Sequence, residues 1–205
     1  MNNRIPKLER CKIIFQYSLV IVVAILCGYL FIGLVSEDVL MSVVEKVSYH
    51  FEIPFIECSE VYEIFEIIWK FVFSDIACVI VLFISSFTIV NYLISDFVLL
   101  YIGFNFGASL SILVRLFEGE ISNVRYTPGA FNSLLFIFTR LVYIILIFWF
   151  CLRIAGFSYN LKSFNISGRV SVSIPILLVL VITTLVLLFT IVLLKGLYCL
   201  LIYNF

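Results

Sequence analysis

Residues 13–35 read IIFQYSLVIVVAILCGYLFIGLV, 23 positions without a charged side chain. A helix of that length rises about 1.5 Å per residue, enough to cross a hydrocarbon layer about 30 Å thick. The apolar part of a cleaved secretory signal is shorter, about 7–15 residues, and ends at a small-residue cleavage site. This run is longer and has no such site, so it reads as an uncleaved transmembrane helix. The whole chain agrees with that reading. Its 205 residues are 64% hydrophobic and 13% charged, with a mean hydropathy of +1.23. Soluble domains carry about 25% charged residues, and a soluble core cannot hide this much apolar surface. The chain must use lipid as part of its solvent, and the fold class is all-α, a polytopic membrane helix bundle forming one integral membrane domain over 1–205.

Four more apolar runs follow. The second spans about Phe71 to Tyr92 and the third about Leu93 to Leu116, interrupted only by NYLISD at 91–96, which predicts a tight hairpin there. The fourth runs from about Phe131 to Leu152, and the fifth covers Ser171 to Leu194, 24 residues without a charge. Each is close to the roughly 20 residues a bilayer requires, which predicts five spans. The tail KGLYCLLIYNF either extends the fifth helix or lies at the interface.

Lys and Arg in short loops set orientation. Ahead of the first span stand Arg4, Lys7, Arg10 and Lys12 against Glu9, and the segment after the fourth carries Arg153, Lys162 and Arg169 without an acid. Residues 36–70 hold eight acids and two lysines. With five spans both basic segments fall on one side, the cytoplasm, and the acidic segment lies outside. Net charge is zero, so the uneven placement, not the total, carries the signal. The six cysteines, at 11, 27, 58, 78, 151 and 199, are scattered with no CxxC spacing. That predicts neither a disulfide framework nor a zinc site.

The segment 36–70 is patterned. Leu40, Val43, Val44 and Val47 recur at helical spacing, as do Val61, Ile64, Phe65 and Ile68, with Pro54 between the two sets. Two short amphipathic outer helices are predicted. Glu57, Glu60, Glu63 and Glu66 recur every three residues opposite the second apolar stripe. They make either a solvated face or a docking face for a basic patch on an extracytoplasmic partner. His50 is the single histidine, too little for a metal site. No cofactor is predicted.

Inside the membrane, Gly103 and Gly107 in GFNFGASLS have the small-residue spacing that lets two helix backbones approach. The close partner is either another helix of the bundle or a second copy in a homo-oligomer. Asn105 lies between them and needs a hydrogen-bond partner, while Asn91 and Asp96 are expected to cap the hairpin. Arg140 interrupts the apolar FIFTRLVYIIL. An arginine at a helix centre costs about 2.5–3.5 kcal/mol on insertion scales. It can snorkel outward, pair with Asp75, Glu118 or Glu120, or line a wet cavity. The segment 118–130, with the turn pair Pro128-Gly129, is an outer or re-entrant loop.

No HExxH, GxSxG, Walker loop or pair of intramembrane aspartates is present, and no acid–base constellation stands out. The reading is a non-enzyme. No basic aromatic patch supports nucleic-acid binding.

The order of parts resembles the stage II sporulation protein M family: a basic amino terminus, one span, an amphipathic outer segment, then a tight hairpin. YIGFNFGASL at 101–110 looks like that family's glycine-containing third span, and Pro128-Gly129 and FCLRIAG at 150–156 are also similar. The likeness covers roughly 12–160 and departs in lacking a second proline early in the fourth span. It implies a bacterial cell-membrane scaffold for engulfment and cell-wall remodelling, anchoring peptidoglycan hydrolases at the septal membrane during sporulation. The alternative expectation is a membrane subunit of a transporter or bacteriocin-immunity system, with Arg140 and Asn105 along a polar path.

Overall fold

The computed structural model describes residues 7–35, 61–88, 90–118, 130–166 and 174–204. Five helices run through them, α1 (Lys7–Leu34), α2 (Val61–Ser85), α3 (Asn91–Glu118), α4 (Ala130–Ile166) and α5 (Ile174–Asn204). No strand occurs among the described residues. The fold is the helical bundle expected from the apolar runs. Four of the helices, α1, α3, α4 and α5, are long and apolar enough to cross a membrane, and the apolar stretch of α2 covers Val72–Ser85.

The bundle core is built around α4. Ile147, Phe150, Cys151 and Ile154 recur at spacings of three and four on one face of that helix and are fully buried. Against them stand Val79 and Leu82 of α2, Leu99 and Ile102 of α3, and Leu187 and Ile191 of α5. Elsewhere the surface is apolar rather than charged: Leu134, Ile145, Leu185, Val186 and Phe189 are all more than half exposed. In water that would be an aggregation hazard. Against acyl chains it is the expected surface of a multi-pass membrane protein.

The small-residue seam forms between α1 and α3. Gly107 lies so close to α1 that an added Cβ would overlap the Ile25 carbonyl, and a Cβ at Gly28 would overlap the carbonyl of Phe104. At Gly103 it would stand 2.8 Å from the Ala24 Cβ and 3.1 Å from the Ile21 oxygen. Contacts advance together along both helices, from Gln16 with Asp96 through Ile25 with Gly107 to Gly33 near Arg115. The two helices therefore run parallel, as alternating spans one and three must.

Three boundaries differ from the sequence expectation. The hairpin turn is at Ser86–Val90, not 91–96. Helix α2 closes there with short-range bonds, Phe87 N to Ile84 O at 3.3 Å and Thr88 N to Ser85 O at 2.8 Å. The Ser85 and Ser86 hydroxyls donate to carbonyls three residues back. This self-satisfied serine pair offers the backbone an alternative to continuing the helix. Asn91 and Asp96 then lie inside α3 and do not cap the turn: the Asn91 amide has no partner among the described residues, and Asp96 accepts from Gln16 Nε2 at 2.6 Å. Second, Val61–Ser85 is one helix, so the second apolar stripe of the outer segment and the second span are continuous. Third, α4 reaches Ile166, which puts Arg153 within the helix, its guanidinium 4.9 Å from the Trp149 ring centre. The tail extends α5 to Asn204, one of the two alternatives expected for it. The first predicted outer helix, over Leu40–Val47, and the loop 119–129 lie outside the described residues.

Candidate functional site

Three helices bring charges together in the interior. Asp75 is buried on α2. Lys195 of α5 is also buried and its ammonium contacts Asp75 Oδ2 directly. Arg140 of α4 places Nη1 3.8 Å from the same oxygen. That separation is an ion pair but too long for a hydrogen bond. The three side chains also differ in exposure: 2% for Lys195, 6% for Asp75 and 21% for Arg140. Lysine and aspartate form the sealed part of the cluster, and arginine forms its accessible edge. The guanidinium also lies 5.5 Å from the Phe136 ring centre, a favourable place for a cation in an apolar setting. Tyr143 and Cys78 stand beside the carboxylate, and Ser74 Oγ is 3.5 Å from Asp75 Oδ1.

A cavity of about 300 Å³ adjoins this cluster, bounded by α1, α2, α3 and α4. Ser74, Asp75, Asn105, Ser109, Arg140 and Tyr143 supply its polar wall. Phe31, Ile32, Phe104 and Ile144 supply the apolar one. Ser109 Oγ donates to the Asn105 carbonyl at 2.8 Å, which leaves the Asn105 side-chain amide as the group presented to the space.

The structure brings Asp75, Arg140 and Asn105 onto one site. It places Gly103 and Gly107 on the opposite face of α3, against α1. Glu118 is exposed at the end of α3. Glu120, Glu57 and Glu60 lie outside the described residues, and Glu63 and Glu66 fall in the first turns of α2. Lys195 is the member that sequence reading missed. It follows directly on a 24-residue uncharged run, where a lysine reads as the interfacial end of a span. The available signal was the apolar GLYCLLIY after it, which makes that lysine interior once the helix continues. Among the described residues no cluster of three or more His, Cys, Asp or Glu could hold a metal ion.

Comparison of the chain with protein-family models, with curated proteins and with solved structures returns no match.

Proposed function

We propose that the chain is a non-enzymatic, multi-pass membrane scaffold, a bacterial cell-membrane protein with its amino terminus in the cytoplasm. The observation that supports it best is the cross-bundle clamp. One buried carboxylate on α2 is shared by cations from α4 and α5, and α1 is fastened to α3 along a backbone-to-backbone seam. Both devices fix helices relative to one another. A frame of that kind suits a protein whose task is to hold an outer segment in place. The amino-terminal orientation rests on the basic residues at and before the start of α1, on Arg153, Lys162 and Arg169 along and just after the last part of α4, and on the acids of 36–70.

The identity of what is held, extracytoplasmic peptidoglycan hydrolases acting in engulfment, comes from the family resemblance alone. The candidate docking face is the row Glu57, Glu60, Glu63 and Glu66. Reversing all four to Lys should leave the protein inserted and abundant while removing an outer partner from an affinity purification of the intact chain. Unchanged partner recovery would return this row to a solvated face. Recovery of an ATPase instead of wall hydrolases would favour the transporter-subunit reading.

A further inference from the structure

The clamp explains Asp75 and Lys195, but it does not explain the cavity beside them. Asn105 sits midway along the 28-residue α3, about 20 Å from either end, yet it is exposed, as is Ser74. A polar group facing acyl chains at that depth is costly unless something satisfies it. Both groups face the same space, and so does the accessible edge of Arg140. Phe31 and Ile32 of the last turn of α1 form one wall of the space, so its α1 side lies toward the end where that helix stops. At about 30 Å³ per water, 300 Å³ holds roughly ten.

We propose that this cavity is a hydrated pocket, entered from the side on which α1 ends, that binds a small organic monoanion: a carboxylate with a short apolar body. The sign follows from the geometry of the cluster. Asp75 and Arg140 both line the cavity. Lys195, which is not part of the lining, contacts the Asp75 carboxylate and offsets its charge, so the net charge facing the space is that of the guanidinium. A guanidinium offers forked N–H donors that match a carboxylate's two oxygens. The Asn105 amide adds a neutral donor on the facing helix. Ile32 and Ile144 accept an apolar tail rather than a second charge. A frame-holding role needs no such pocket, so the proposal stands apart from the scaffold reading.

The test uses the full chain in proteoliposomes, with Cys11, Cys27, Cys58, Cys78 and Cys199 replaced by Ser, the buried Cys151 kept, and Asn105→Cys introduced, the chain without Asn105→Cys serving as the blank. A small anionic methanethiosulfonate and its cationic analogue are applied, and the rate ratio is normalised to a free thiol in solution. Labelling at position 105 should occur and should favour the anion by about tenfold or more, the scale of focusing by a charged cleft. The preference should shrink as salt is raised. Arg140→Gln should bring the ratio to about one. The salt series reads the same field without altering the arginine, so it decides the matter even if that variant fails to fold. Millimolar butyrate should slow labelling, and butylammonium should not. Absence of labelling by either reagent would show a space filled by lipid or closed. A ratio at or below one would overturn the sign. Labelling that butyrate leaves untouched would overturn the carboxylate.

Discussion

Asp75 meets two cations, and the contacts are unequal. Lys195 touches it within the sealed interior, whereas Arg140 stands 3.8 Å away at the cavity edge. Removing one member of a buried pair strands the other, at about 3–5 kcal/mol, while removing both is milder. Asp75→Leu and Lys195→Met alone should therefore lower thermal stability and membrane abundance strongly, and the double variant should recover a large part. The coupling of Asp75 with Arg140, measured with Arg140→Leu, should be smaller. Equal couplings, or none, would refute this hierarchy. Arg140 was legible in the sequence because it interrupts an apolar run, and Asp75 because few acids stand inside spans. Their pairing could be argued from alternating topology, which places both in one half of the bilayer. Lys195 was hidden because only the length of α5 shows whether a lysine ends a span or is enclosed by it.

At the scale of elements, α1 and α3 make the tightest contact, and its cost is concentrated at particular glycines. A methyl at Gly107 or Gly28 meets a backbone carbonyl that cannot rotate away, so one helix must shift. Overpacking of this kind costs about 1–3 kcal/mol. Gly196 has nothing within 4 Å of the position its Cβ would take. There an alanine meets no obstacle and gains helix propensity, up to about 1 kcal/mol. Thermal unfolding in one detergent should show Gly107→Ala and Gly28→Ala destabilised and Gly196→Ala neutral or stabilised. A loss at Gly196 equal to that at Gly107 would refute the seam. The spacing of Gly103 and Gly107 could be read from sequence, but its partner could not, because small-residue spacing serves internal and external contacts alike. Helix ends were less legible than helices. Ser85-Ser86 is a stop made by hydroxyl-to-carbonyl bonds, and it carries neither proline nor glycine to announce it.

Across the whole molecule, α1 and α3 run parallel, and the expectation of five spans makes α2 the intervening one of opposite direction. The proposed orientation, with the basic end in the cytoplasm, follows from the charge bias. An impermeant thiol reagent on intact cells should modify Cys58 and leave Cys11 unmodified, the other cysteines having been replaced. Modification of Cys11 alone would invert the assignment. The clamp also has a consequence in time. Translation reaches Asp75 and Arg140 before Lys195, so the carboxylate and the guanidinium are made without the ammonium that touches the carboxylate in the folded chain. The lysine joins the cluster last, carried by α5, the latest of the five described helices. The contact that seals this carboxylate therefore depends on a helix made after α1 to α4, a property no contact among those four can have.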